Sequence, residues 1–162
     1  IGQYSWVDLG MSAPPSELQA AFLLAQLEAC GDITNTRRKI WQRYATTLQG
    51  LTANAKISIL SPPIHCSHNA HIFAIKFADI ISRQRAESAL LEFGIGTAIH
   101  YEPLHRSLAG LRYSRRSAEL PISDTIPYQL LRLPIYPDLP DNVPERVFEL
   151  LSKSFSREIH SE

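Results

Sequence analysis

Apolar residues recur at helical spacing along the first third of the chain. Leu18, Phe22, Ala25, Ala29, Ile33, Ile40, Tyr44 and Leu48 form one stripe over residues 16–49. Leu23, Leu24 and Leu27 widen it, which predicts a first half buried on more than one side. Ser16 with Gln19 three positions later is a capping-box signature for the helix start. Gly31 and Asp32 predict a bend or break, since Gly costs about 1 kcal/mol against Ala inside a helix. So wide a stripe has too little chain around it to be covered. It predicts packing against a larger domain or a second subunit.

Further on, the pattern shifts toward a period of two. Residues 57–60 predict a short strand ended by Pro62 and Pro63. Residues 70–77 place His71, Phe73, Ile75 and Phe77 on one face and Ile72, Ala74 and Lys76 on the other, which predicts a central strand. Ser82 predicts the cap of a helix over 83–93, with Ala86, Ala89, Leu90 and Phe93 inward and Gly94 stopping it. Residues 95–101 read as a second strand and 102–124 as irregular, around Pro103, Gly110 and Pro121. A short helix is predicted over 125–131. A strand over 131–136 follows, which Pro134 ends or confines to an edge. Asn142 predicts the cap of a last helix, with Pro144 in its first turn and Val147, Leu150, Leu151 and Phe155 buried.

These elements define an α/β fold in four parts: a lead-in loop over 1–15, the long helix over 16–49, a small α/β unit over 50–156 and a frayed tail over 157–162.

Composition narrows the function classes. The 162 residues are 44% hydrophobic and carry 16 basic and 16 acidic side chains. Formal net charge is zero, so no global basic field points to nucleic acid. Arg37, Arg38 and Lys39 read as a solvated run. Arg112, Arg115 and Arg116 read as the same, with a phosphate patch as the alternative. Cys30 and Cys66 do not make a disulfide framework, which predicts reduced thiols and a cytoplasmic protein. The apolar runs are far shorter than a membrane span, and residues 1–6 have no signal-peptide character, so no membrane partner is expected. The opening Ile1 predicts an internal start.

Two stretches carry candidate chemistry. His65, His68 and His71, with Cys66 beside them, invite a zinc reading. They run from a Pro-rich loop into a strand without a paired-cysteine motif, so ordinary histidines are predicted and no metal. His100-Tyr101-Glu102-Pro103-Leu104-His105 lies where a strand meets a loop. Its polar groups suit a hydroxylated ligand or a proton transfer. No Gly-x-Ser-x-Gly elbow, Walker A loop or Gly-x-Gly-x-x-Gly turn occurs.

Four stretches, in this order and spacing, resemble the DegT/DnrJ/EryC1/StrS family of nucleotide-sugar aminotransferases. They are Tyr4-Ser5-Trp6-Val7-Asp8-Leu9-Gly10 with the Ser16-Glu17-Leu18-Gln19 helix start, Asn69-Ala70-His71-Ile72-Phe73, the 100–105 stretch with Ala109-Gly110, and Leu130-Leu131-Arg132-Leu133-Pro134-Ile135-Tyr136. The opening motif and residues 69–73 look most similar to the dTDP-4-amino-4,6-dideoxyglucose transaminases of that family.

The resemblance implies a fold-type-I aminotransferase that is a homodimer and uses pyridoxal 5'-phosphate. It implies glutamate as amino donor and a 4-keto nucleotide sugar as acceptor. This chain would be the C-terminal small domain of that parent, with the long helix between domains and at the dimer interface, followed by an α/β sandwich with a small, mainly antiparallel sheet. The Schiff-base lysine of the family lies upstream of the segment matching Tyr4–Gly10, and Lys39, Lys56, Lys76 and Lys153 match other positions. The resemblance therefore implies no catalytic residue in this chain and no activity for it alone. Ser12 would touch the cofactor phosphate of the partner subunit where the family has Asn. Ala13 and Pro14 depart from the aromatic and basic residues frequent there. His100, Tyr101 and His105 would bind the sugar, and Arg132 would anchor the domain. The alternative is a non-catalytic interaction module that retains the small-domain fold.

Overall fold

The computed structural model describes residues 8, 10, 13–54, 56–99, 101–115 and 119–156. The helical first third is three helices in series: α1 Glu17–Glu28, α2 Cys30–Thr47 and α3 Gln49–Ala53. The capping box forms as predicted. Ser16 Oγ accepts from the Gln19 amide at 3.4 Å, and Gln19 Oε1 accepts from the Ser16 amide at 2.8 Å. The break falls at Ala29, two positions before the predicted Gly31, which lies inside α2.

Packing divides this stretch. Trp41, Tyr44, Leu48 and Leu51 of α2 and α3 are buried in the core. By contrast, α1 buries none of its residues within this chain. Leu18 is 85% exposed and Phe22 71%. The described residues of this chain leave α1 uncovered.

Three antiparallel strands in the order β1-β2-β3 form the sheet: β1 Ile57–Ile59, β2 Phe73–Phe77 and β3 Leu130–Leu133. The central position of β2 follows from its sequence, since Phe73, Ala74, Ile75 and Phe77 are all buried. Phe73 pairs with Leu133 and Ile75 with Leu131 on the core face. Tyr44 stacks on Phe73 at 4.9 Å, and Trp41 meets the same ring edge-on at 5.3 Å. Rings of this size each bury a large apolar area. Pro134 ends β3, as the missing amide requires.

Helix α4 spans Ile80–Glu92 and packs against α7, Val143–Ser156. Its cap is Asp79 rather than the expected Ser82: the Asp79 carboxylate accepts from the Ser82 amide at 2.7 Å. That bond holds the Asp79 pKa below its ordinary value. Gly94 adopts φ 74° just past the helix end, a conformation glycine takes without steric cost. In α7 the expected side chains Val147, Leu150, Leu151 and Phe155 are all buried.

Two sequence expectations give way here. Residues 95–101 form no strand among the described residues; Ala98 makes one bridge to Arg132. The stretch expected to be irregular, 102–124, holds a 3₁₀ turn Leu104–Arg106, α5 Leu108–Tyr113 and the start of α6 Pro121–Gln129. Among the described residues no helix is long and apolar enough to cross a membrane.

Candidate functional site

Of the four residues assigned a binding role from sequence, Ser12 and His100 lie outside the described residues. Tyr101 and His105 lie on the connection from the Ala98 bridge to α5. Three features shape that connection. Pro103 is buried and precedes the 3₁₀ turn. Ser107, fully buried, donates to Leu104 O at 2.7 Å and accepts from the Gly110 amide at 3.0 Å, which caps α5. Gly110 lies so close to the turn that a Cβ there would sit 1.8 Å from Leu104 O.

His105 is fixed by a residue that the sequence did not single out. Its Nε2 lies 2.6 Å from Asp124 Oδ1 of α6, and both side chains are largely shielded from solvent, at 13% and 19% exposure. Arg106 Nε donates to the same oxygen at 2.5 Å. These hydrogen bonds, Arg106 first and His105 next, hold the Asp124 pKa below its ordinary value. A carboxylate nineteen positions away has no local signal that could have announced the pair. The lead-in segment is tied nearby: Tyr113 donates to Asp8 Oδ1 at 2.5 Å, which raises the phenol pKa. The first motif stretch thus meets the end of α5, three residues beyond Gly110.

Tyr101 faces Arg132, whose guanidinium carbon is 5.8 Å from the ring centroid. Arg132 Nε is buried and has no hydrogen-bond partner among the described residues. The Arg132 backbone exchanges two hydrogen bonds with Ala98, at 2.8 and 3.1 Å. Beside it lies a groove of about 250 Å³ lined by His71, Thr97 and Ala98 among others.

The histidine series does not converge. His68 stacks edge-on against Trp41 at 4.8 Å, and its Nδ1 accepts from the Ala70 amide at 3.2 Å. Arg38 donates to His68 O at 2.7 Å and to Ser67 Oγ at 3.1 Å. The loop is thereby bound to α2. Among the described residues no group of three or more His, Cys, Asp or Glu could hold a metal. Cys30 and Cys66 are both free and exposed.

A small antiparallel sheet backed by α4 and α7 and preceded by a helical lead is the small-domain architecture of fold-type-I pyridoxal-phosphate aminotransferases. The chain belongs to the DegT/DnrJ/EryC1/StrS aminotransferase family, whose model matches residues 2–152. It is 27% identical over 140 residues to the spore coat polysaccharide biosynthesis protein SpsC of Bacillus subtilis, which covers 82% of this chain and 35% of SpsC. The solved family aminotransferase of Brucella abortus superposes with a TM-score of 0.72 at 25% identity, covering 99% of this chain and 40% of that one. DesV of S. venezuelae gives 0.71 at 26% identity, with 99% and 41% covered. The chain thus spans about a third of the length of the curated relative it matches. The family is one of pyridoxal-phosphate-dependent sugar aminotransferases.

Proposed function

We propose that the parent of this chain is a pyridoxal-phosphate-dependent transaminase that moves an amino group from glutamate to a 4-keto nucleotide sugar. Within the family we assign it to the dTDP-4-amino-4,6-dideoxyglucose transaminases. It works as a cytoplasmic homodimer, and this chain is its C-terminal small domain. The observation that carries the reading is the family match, which runs almost end to end through the motif stretches around Tyr101 and Arg132. The name of SpsC, a polysaccharide biosynthesis protein, supports a sugar substrate.

The side chains present fit one wall of such a site. When bound, the cofactor supplies an electron sink for moving nitrogen and a proton. This chain's part is to bind and orient. Tyr101 and His105 offer a hydroxyl and an imidazole to a sugar, with His100 beside them in sequence, and Ser12 offers a hydroxyl to the phosphate of the partner subunit's cofactor. The chain alone is inactive in this reading, because no lysine precedes Lys39 to form the Schiff base. Lys39 lies on α2, Lys56 has its amine 5.6 Å from the Phe155 ring centroid, Lys76 is on β2 and Lys153 on α7. The bare apolar face of α1 supports its place between domains and subunits.

The test is cofactor trapping on the full-length protein: load it with pyridoxal phosphate, reduce with borohydride, digest and map the label. We expect one labelled lysine upstream of this chain. Label on Lys39, Lys56, Lys76 or Lys153 would refute the assignment, as would turnover by this chain alone. A protein that takes no label leaves the interaction-module reading in its place.

A further inference from the structure

Arg132 sits in β3 between Leu131 and Leu133, which both enter the core. Strand alternation therefore sends Arg132 to the opposite face of the sheet. Its register partner there is Ala74, and Ala98 bridges its other side. Two small neighbours leave space around a large cation. The groove beside it, of about 250 Å³, is lined also by His71, Gly96, Thr97 and Pro134. Arg132 is only partly exposed, and its Nε is buried with no hydrogen-bond partner among the described residues. The described contact of its guanidinium is the face of Tyr101. A guanidinium stays charged at any physiological pH and presents a planar fork of donors. A desolvated donor left open costs stability unless a ligand accepts from it.

We infer that Arg132 is an oxyanion-recognition residue: its fork takes a carboxylate or phosphate group of a substrate, while the Tyr101 ring holds its plane. His71 and Thr97, on the rim of the same groove, add an imidazole and a hydroxyl. This deepens the transaminase reading and rests on it. Glutamate carries two carboxylates and a nucleotide sugar carries a diphosphate, and the geometry fits either oxyanion.

The experiment uses the full-length protein, wild type against Arg132→Gln and Arg132→Lys. Glutarate and inorganic pyrophosphate are titrated calorimetrically, and KM is measured for glutamate and for the nucleotide sugar. We expect one probe to bind the wild type and to weaken about tenfold or more in the Gln variant, with a smaller loss in the Lys variant; tenfold corresponds to about 1.4 kcal/mol. If the carboxylate is the ligand, glutarate weakens and the KM for glutamate rises alone. If the diphosphate is, pyrophosphate weakens and the KM for the nucleotide sugar rises alone. Failure of both probes to bind wild type overturns the inference, and so do affinities and KM values unmoved in the Gln variant. Equal loss of both probes in the Gln and Lys variants, with a lowered melting temperature, returns Arg132 to an anchoring role. Arg132-dependent binding in a wild type that does not transaminate sinks the transaminase reading and leaves the oxyanion site standing.

Discussion

The imidazole of His105 meets the carboxylate of Asp124 at 2.6 Å, joining the turn before α5 to the first turn of α6. Arg106 shares the same oxygen. The Asp124 pKa is depressed, chiefly by the Arg106 hydrogen bond and then by that of His105. A depressed carboxylate contributes stability that is full above its unfolded pKa and is lost as pH falls through the folded one. Asp124→Asn should therefore flatten the acid limb of melting temperature against pH and leave the limb above the carboxylate range parallel to wild type. Asp79 shifts in the same direction and is untouched by this change, so part of the acid slope stays. Identical acid limbs in the two proteins would show that the contact stabilises nothing.

Gly110 offers a test in which two effects oppose. Replacing an exposed helical Gly by Ala gains about 1 kcal/mol in propensity. Here the new Cβ would meet Leu104 O at 1.8 Å and Leu104 C at 2.8 Å, both backbone atoms. Neither can turn away as a side chain would. Overpacking costs about 1–3 kcal/mol, and a clash with two backbone atoms lies at the upper end of that range, so the sum is a net loss. Urea denaturation of Gly110→Ala should give a lower midpoint than wild type. A midpoint at or above wild type would mean that the turn relaxes freely.

How far the sequence discloses this molecule depends on which force builds each part. Phe73, Ile75 and Phe77 in β2, and Val147, Leu150, Leu151 and Phe155 in α7, are placed by burial, and burial leaves a period in the sequence. The cap of α4 is mistaken by three residues because Asp79 and Ser82 both suit the position, and the end of β2 at Phe77 favours the earlier one. Residues 104–113 are held by the Ser107 hydroxyl and the missing Cβ of Gly110, which carry no periodic signal. The motif around His105 is readable as a string. Its partner Asp124 and the open Nε of Arg132 are properties of the folded chain alone.

Tyr44 carries a liability that can be removed. Its ring stacks on Phe73, while its hydroxyl is buried without a hydrogen-bond partner among the described residues. Burial, then the nearby Tyr136 and Glu145, push its pKa well above the ordinary phenol value. Tyr44→Phe should be neutral or stabilising by about 1 kcal/mol, because it removes an unpaired polar group and keeps the ring. Tyr44→Ala should cost about 3–5 kcal/mol through the cavity it leaves. The raised pKa adds a second signature. Stability from this group is complete below the unfolded phenol pKa, about 10, and declines as pH rises beyond it. The Phe variant should lack that alkaline decline. A Phe variant clearly less stable than wild type would show that the hydroxyl has a partner in solution.

The apolar face of α1 separates stability from assembly. Phe22 and Leu27 are 71% and 59% exposed, and α1 buries nothing within the chain. Glu is about as good a helix former as Leu, so Phe22→Glu with Leu27→Glu keeps the helix itself viable. In the isolated chain the double substitution should move unfolding by no more than about 0.5 kcal/mol, as for other exposed sites. In the full-length protein the same two carboxylates would enter an apolar interface without partners, which is costly. Sedimentation velocity should then show the dimer giving way to monomer. Because the partner subunit's cofactor phosphate is the proposed contact of Ser12, cofactor retention should fall with it. A dimer that survives the double substitution unchanged would place the interface elsewhere and leave α1 packed only against its own large domain. Destabilisation of the isolated chain beyond the stated bound would mean that α1 folds back onto the core in solution.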